Sequence, residues 1–427
     1  MKVVDVAIVG AGASGLMAAA HARAADASVL IVEKMLRVGR KLAISGKGRC
    51  NLTNAADVSE FIKRFGDNGS FLRQAFARFF RDELLAILRE EGVETVLERG
   101  GRIFPASGRA LDVVDALRGR ALRLGARIKT DCPISAIGRD GTLFALTTSQ
   151  GIILARTIIL ATGGASYPRT GSTGDGYRLA ASLGHSVRPI RPALTPLCTA
   201  PSPDPEIRGL TLRNIGLTVA IQGKKAASDF GEVAFTDDGL AGPLILHWSG
   251  RIVDALVLGR AVRLSIDLKP ALSCEQLRER LRRDARLRAA EPLQSVLRGL
   301  MAKEMLPVCL RDLGFSLSKM ATRPTAKVTD SDWERIMNWL KKREYLISGH
   351  RPLAEALVTA GGVALAEVDP YTMQSRLIPG LYFAGEVLDI QADTGGYNLQ
   401  AAFSTGAVAG TSAAEQARRV GLQPYSA

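Results

Sequence analysis

Apolar and polar positions set a strand, turn and helix at the start of the chain. Residues 3–9 (VVDVAIV) are a β-branched apolar run, Gly10-Ala11-Gly12-Ala13-Ser14-Gly15 interrupts it, and the alanine-rich residues 16–25 read as a helix. Residues 28–32 form a second strand that stops at Glu33. Two more short apolar strands lie far away: residues 158–160 run into Ala161-Thr162-Gly163-Gly164, and residues 381–383 run into Ala384-Gly385-Glu386. Strands that end in glycine or acid at such distant places are the pattern expected along the carboxyl edge of one parallel sheet. In the middle of the chain, residues 212–222, 232–235 and 261–268 alternate with Pro, Gly and Asp turns and read as antiparallel strands. Residues 273–313 have leucines at helical spacing (Leu277, Leu281, Leu297, Leu300), and Ser331-Asp332-Trp333-Glu334 reads as a capping box opening another helix that ends near Lys342. Residues 394–414 are uncharged but too polar and small-sided to span a bilayer, so they read as a buried helix packed closely on a sheet.

The first turn carries chemistry. Gly10 permits the tight turn, Gly12 lets the backbone approach a pyrophosphate, and Gly15 lets the helix pack against the strand. The backbone N–H groups around Ala13 and Ser14, at the positive end of the helix, are then available to the anion. Glu33 stands near the ~20-residue spacing at which a carboxylate accepts from a ribose 2′-hydroxyl, which also argues against a 2′-phosphate there. Together these residues predict a dinucleotide site and leave NAD and FAD open.

Lys34 to Thr53 separates the two. A simple NAD domain proceeds to another helix, whereas this segment is long, basic and glycine-bearing, as a longer ligand requires. Gly39, Gly46 and Gly48 allow close approach; Arg40, Lys41, Lys47 and Arg49 can meet phosphate charge; Ser45, Cys50, Asn51 and Asn54 lie in the same run. It is not a P-loop, because Lys41 stands where the first glycine is required and Gly48 follows Lys47. At the other end of the chain, Gly385 and Glu386 close a strand of the kind that holds a flavin ribityl chain. Asp389 and Asp393 follow, and Gly395, Gly396, Tyr397, Asn398 and Leu399 open a helix whose positive end can face the flavin N1 and C2 carbonyl. Ala161, Thr162 and Gly163 suit the adenosine half.

These motifs resemble the BaiN-like, or aminoacetone-oxidase-type, family of bacterial FAD-dependent oxidoreductases across essentially the whole chain. The resemblance rests on Gly10-x-Gly12-x-x-Gly15, on Gly39-Arg40-Lys41 with residues 45–54 (SGKGRCNLTN), on residues 161–168 (ATGGASYP) and 171–177 (GSTGDGY), and on GEVLD at 385–389 with TGGYNLQ at 394–400. It implies an α/β fold: a Rossmann-type FAD-binding domain built from both chain ends (1–190 and 356–427), an inserted antiparallel β-barrel-like domain (191–270 and 343–355), and a small helical insertion (271–342). It also implies non-covalent FAD. One departure stands out. The family's Thr-His-x-Gly-x-Ser-Gly-Pro loop reads Thr236-Asp237-Asp238-Gly239-Leu240-Ala241-Gly242-Pro243 here, which puts in doubt any catalytic role tied to the missing His and Ser.

Composition narrows the setting. At 427 residues two or three domains are expected, and a hydrophobic share of 47% with 23% charged residues argues against long disorder. The five cysteines are far apart and never in a C-x-x-C pair, so neither disulfides nor zinc is expected and a reducing cytoplasm fits best, with no export signal. Cys50 is expected to be a packed side chain rather than a redox thiol, and none of the four histidines forms a metal pair; His21 is expected at the surface. The formal charge of +14 would attract any polyanion without naming one. Its densest stretch, Arg278 to Arg288, contains Glu275, Glu279 and Asp284 in or beside it and no aromatic platform, so a solvated helix is preferred over an RNA dock.

The reading reached is an FAD-dependent oxidoreductase acting on a small organic substrate, through NAD(P)H-linked reduction of an activated C=C bond or, alternatively, amine oxidation with oxygen. Any nicotinamide would dock transiently, since no second strand-glycine-helix motif is present. No membrane partner is expected, and a flavin-containing nucleic-acid-binding or modifying protein is the rival of another class. No catalytic residue, oligomeric state or metal ligand is assigned.

Overall fold

The computed structural model describes residues 3–421; residues 1–2 and 422–427, the outer ends of the two ranges expected for the FAD-binding domain, lie outside the described residues. Contacts divide the chain into two compact units, one made of the residues up to Pro192 with those from Leu353 onward, the other of Ala193–Pro352.

The first unit is built on a Rossmann-type sheet. Strands Arg127–Lys129, Val29–Val32, Val4–Val9, Gly151–Leu160 and Leu381–Phe383 lie side by side and parallel. The near-continuous β-branched runs follow from burial on both faces, since helices cover a parallel sheet above and below. The hairpin Ile134–Asp140 and Leu143–Thr148 adds antiparallel strands to the first half of Gly151–Leu160, which is therefore much longer than the three residues at its apolar end. Registers Val32↔Val9, Val9↔Leu160 and Leu160↔Phe383 put the carboxyl ends of four strands in one row. The sheet-edge expectation is thereby met.

Two helices share one side of this edge, Ala13–Ala24 and the long Tyr397–Gly421. Their small residues set the spacing. A β-carbon built on Gly406 would lie 2.4 Å from the Ser14 carbonyl oxygen, and one on Gly410 would lie 2.2 Å from that of Ala18, so the backbones touch at both places. A small antiparallel sheet of Thr53–Asn54, Arg102–Pro105 and Thr95–Glu98 flanks the glycine-bearing segment.

The second unit is a closed six-stranded antiparallel barrel in the order Leu197–Thr199, Gly239–Ala241, Lys224–Phe235, Thr211–Ile221, Val262–Asp267 and Arg343–His350, with the last strand returning to the first through Leu197↔His350. Val262, Leu264 and Ile266 are fully buried while Arg263, between Val262 and Leu264 on the same strand, is exposed, the period-two alternation of a filled barrel. Helices Cys274–Leu287, Leu293–Leu297, Met305–Asp312, Leu317–Ala321 and Asp330–Lys341 are inserted between the last two long strands and share its hydrophobic core. The helical reading of residues 273–313 is thus broken: Pro292 caps the second helix, as a residue that cannot continue the first must. The cap of the last helix is also displaced. Thr329, not Ser331, accepts from the Asp332 N–H (3.2 Å), so the helix starts at Asp330.

Candidate functional site

The glycine turn sits where the row of strand ends meets the first helix. Gly10 adopts φ +103°, and a β-carbon there would lie 2.6 Å from the Ala161 carbonyl oxygen; at Gly15 it would lie 1.9 Å from that of Gly10. Nothing in the protein comes within 4 Å of a β-carbon built on Gly12. The two outer glycines are therefore required by the protein's own packing, whereas no protein atom demands a glycine at the middle position. Helix Ala13–Ala24 has Gly12 as its N-cap, no capping side chain and no acid in its first turn, which leaves its positive end uncompensated. Ser14 is buried, its Oγ 2.6 Å from where a β-carbon of Gly385 would stand.

Glu33 is held by both oxygens: Oε2 accepts from the Ala11 N–H and Oε1 from the Met35 N–H, each at 2.8 Å. The carboxylate is thus fixed against the glycine turn before any ligand arrives. Lys34 donates to Thr173 and to Asp175, both at 2.5 Å, tying the loop after the second strand to residues 171–176. Gly39 (φ +66°) donates its N–H to the Ala11 carbonyl. Arg40 is exposed. The Ser45 hydroxyl turns back on the Leu42 carbonyl (2.7 Å). Gly46, Lys47 and Gly48 run in succession through left-handed backbone, and Gly48 leaves open space on its outer side. Arg49 pairs with Glu98 and lies over the Phe104 ring, 4.4 Å from its centroid. Cys50 is completely buried, and burial pushes its thiol up to about 12, so it is an inert packed side chain.

Glu386 is a hub that joins four remote segments. Its Oε2 accepts from Lys41 Nζ at 2.7 Å and from the Gly164 N–H at 3.3 Å; its Oε1 accepts from the Thr359 N–H at 2.7 Å and from the Ser166 hydroxyl at 3.4 Å. Lys41 also donates to Ser166 (2.7 Å). The carboxylate charge is largely used in holding this junction. The glycines around it are obligatory: a β-carbon on Gly164 would lie 2.4 Å from Thr359 Oγ1, and one on Gly176 would lie 1.9 Å from Thr162 Oγ1. Ala161 continues the ladder by donating to Val9, and Gly163 adopts φ +72°.

The carboxyl-terminal residues divide by role. Gly396 packs on backbone, a β-carbon there falling 2.4 Å from the Thr53 carbonyl oxygen. The Tyr397 ring packs edge-on against Phe61 (4.7 Å) and under Arg64. The Asn398 side chain bridges back to Ala392 N–H and C=O (2.8 and 2.9 Å), bracing the preceding loop. Asp389 joins Val363 and Asn68 through its backbone, and Leu399 is half-buried against the core. Three polar atoms nearby are buried without a hydrogen-bond partner among the described residues: Asn51 Oδ1, Thr53 Oγ1 and Gln400 Oε1. Thr53 and Gln400 are completely buried. Buried acceptors left orphaned cost ~1–3 kcal/mol each unless a ligand or water meets them. Neither Thr53 nor Gln400 is singled out by the sequence patterns; both lie in the quoted motifs, but a threonine and a glutamine in apolar surroundings carry no spacing signal.

A family model described as HI0933-like protein Rossmann domain matches residues 4–412. The chain belongs to the HI0933-like family. It is 33% identical to the 3-dehydro-bile acid delta(4,6)-reductase of Clostridium scindens, over 96% of this chain and 99% of that protein. It is 28% identical to a ribosomal RNA dihydrouridine synthase of Haemophilus influenzae, over 93% and 95% of the two chains. Among solved structures, the FrdA chain of Escherichia coli quinol fumarate reductase aligns with a TM-score of 0.53 at 17% identity, over 99% of this chain and 72% of that one, a likeness of fold. The chain is an FAD-dependent oxidoreductase of this family. Its residues fit that group: an uncapped helix end beside a glycine with open space, a fixed carboxylate one strand away, and orphaned buried acceptors beyond them.

In the barrel unit the departing loop is anchored by its acid. Asp238 accepts from Arg351 (2.7 Å) and from the Thr236 hydroxyl (3.1 Å). Partial burial alone would raise its carboxyl; the Thr236 hydrogen bond and the Arg351 charge outweigh that and hold it below the usual range. On the arginine-rich stretch Arg278 grips Glu334 with two bonds (2.5 and 3.1 Å), Arg280 and Arg283 flank Asp284, and Arg288 pairs with Glu291, while Arg282 and Arg286 are exposed and make no ion pair with a described residue. His21 differs from expectation. It is mostly covered, edge-on to Phe79 at 5.2 Å, because the first helix is packed on nearly every side. Among the described residues, no helix is long and apolar enough to cross a membrane.

Proposed function

We propose that this chain uses FAD to reduce a carbon–carbon double bond conjugated to a carbonyl group, with a nicotinamide as the electron source. The observation that carries this reading is the agreement of two relatives matched over nearly their full lengths: one is named for reducing a bile-acid double-bond system, the other for making dihydrouridine, which is uridine with its ring double bond saturated. Different substrates, one bond type. Bound FAD supplies two-electron hydride chemistry. The chain's own part is binding and orientation: the N–H groups behind Gly12 receive the pyrophosphate, Glu33 the ribose, and Asn51, Thr53 and Gln400 the donors of the remaining polar portion. The Lys41–Glu386 junction ties the glycine-bearing segments at residues 39–41 and 163–166 to Thr359. The 33% identity with the bile-acid reductase supports a reading within the BaiN-like branch, acting in the cytoplasm on a small molecule.

Anaerobic mixing with NADPH or NADH tests the reading. The yellow absorbance should bleach, then return on addition of a Δ4-3-ketosteroid or another conjugated enone. Bleaching by a small amine instead, with peroxide released in air, would replace the reductase by an amine oxidase. A second reading, favoured by the dihydrouridine synthase relative, is that the bond lies in a uracil base of RNA.

A further inference from the structure

The +14 charge of the chain has to reside somewhere, and the ion pairs show where it does not. On the arginine-rich helix Cys274–Leu287, Arg278, Arg280 and Arg283 pair with acids while Arg282 and Arg286 do not; Arg311 pairs with Asp204 and Glu206, and Arg343 with Asp204 and Asp312. In the first unit a group of unpaired cations lies together. Arg37, Arg40 and Lys47, on the segment between the second strand and Cys50, and Arg99, at the tip of the hairpin joining Thr95–Glu98 to Arg102–Pro105, are all exposed and make no ion pair with any described residue. The hairpin packs on that segment: a β-carbon on Gly46 would touch the Phe104 ring at 3.6 Å, and Arg49 pairs with Glu98. Segment and hairpin are therefore one surface. The acids beside it include Glu98, already bound to Arg49, Glu94, Asp112 beside Arg109 (3.3 Å), and the exposed Asp131, whose N–H donates to the Met35 carbonyl.

Arg49 gives this rim a second property. Its guanidinium lies over the buried Phe104 ring at 4.4 Å and is held in place by Glu98, while its side chain remains 45% exposed. A guanidinium plane fixed from below and open above is a platform on which an unpaired base can stack. Uncompensated cations beside such a platform match the alternation of phosphates and bases in a single strand. The platform also lies on the loop that leads directly into Cys50 and Asn51, so a strand lying on it passes the candidate site.

We propose that this rim docks single-stranded RNA, presenting one base toward the site; the proposal rests on the uracil reading of the reaction. Binding is tested with full-length holoprotein and a fluorescein-labelled single-stranded RNA of mixed sequence, by anisotropy over a range of salt. Each cation paired with a phosphate contributes about 0.7 to the slope of log affinity against log salt. Arg37→Glu with Arg99→Glu should therefore lower the slope by about 1.4 and weaken binding at low salt, with flavin content and enone reduction unchanged. Arg280→Glu with Arg283→Glu, whose side chains flank Asp284 on the arginine-rich helix, should leave binding as it is. Absence of RNA binding at low salt would overturn the proposal, as would a slope indifferent to the rim pair. So would rim-dependent binding of phosphatidylglycerol vesicles in place of RNA, which would assign the surface to an anionic lipid. Enone reduction is read without RNA and RNA binding without turnover, so failure of the double-bond chemistry and failure of the docking surface give different results.

Discussion

Gly12 and Gly15 stand three residues apart and make opposite predictions for one added methyl. At Gly15 the methyl would lie 1.9 Å from the Gly10 carbonyl oxygen, so Gly15→Ala must push the first helix off the strand end by more than an ångström. Overpacking of this kind costs roughly 1–3 kcal/mol. At Gly12 nothing stands within 4 Å and the backbone is ordinary (φ −83°). Alanine is a poorer N-cap than glycine, but it also restricts the unfolded chain, and the two effects offset to within about 0.5 kcal/mol. Gly12→Ala should thus leave the apoprotein's stability nearly unchanged. Its methyl, however, occupies the space that a pyrophosphate needs. Losing one charge-assisted hydrogen bond to backbone N–H costs about 1.5–3 kcal/mol, or about 10- to 100-fold in affinity. Urea unfolding of the flavin-free proteins and fluorescence titration with FAD separate the two. Equal loss of apoprotein stability in both variants would refute the distinction, and unchanged FAD affinity in Gly12→Ala would show that the open side faces no phosphate.

Three further outcomes follow from buried groups. Lys41→Met and Glu386→Gln should each destabilise the fold, with a coupling of about 1–3 kcal/mol in a double-mutant cycle, because either change alone strands a partner in the Ser166–Thr359 junction; additive losses would dissolve the junction. Burial, with a smaller push from the Arg120 charge, lowers His21 to about 4, whereas the unfolded chain titrates near ~6.5. The folded state then resists a proton that the unfolded state accepts, so stability should fall as pH drops from about 6.5 to about 4, by up to about 3 kcal/mol; His21→Gln should flatten that part of the pH profile, and an unchanged profile would sink the assignment. Iodoacetamide at neutral pH should label the exposed Cys274 in native protein and spare Cys50, whose thiol is raised to about 12 by burial; rapid labelling of Cys50 by mass spectrometry would contradict its packed state.

Much of the glycine turn's geometry was legible because its constraints are local and categorical. A glycine at Gly10 or Gly15 is demanded by backbone atoms within the same turn, and a β-branched run ending beside it has few alternatives. The barrel's outline was legible too, from alternation and turns. What the residues could not disclose was their second partner. Glu386 and Lys41 were expected at a cofactor and are bound to one another, while Asn398, expected at the flavin, braces residues 392 and 393. A polar side chain beside a ligand site and one that builds its walls look alike along the chain, since both need the same hydrogen-bonding atoms. The orphaned oxygens of Thr53 and Gln400 show the converse: only a fold tells which polar atoms are left unmet.

Charge was the least legible property of all, for a physical reason. Net charge is a sum, and its action depends on which members of the sum are cancelled at short range. Arg311 reaches Asp204 and Glu206, about a hundred positions upstream, and Arg278 reaches Glu334 across the helical insertion. These pairings are set by how helices pack, not by charge density along the sequence, so the densest arginine stretch proves mostly neutralised. The sparser cations at Arg37, Lys47 and Arg99 stay uncompensated because the segment and hairpin that carry them bring few acids along. A polyanion would therefore be drawn to the rim beside the glycine loop rather than to the paired arginines of the most basic helix, which is why reversing Arg37 and Arg99 discriminates where reversing Arg280 and Arg283 does not.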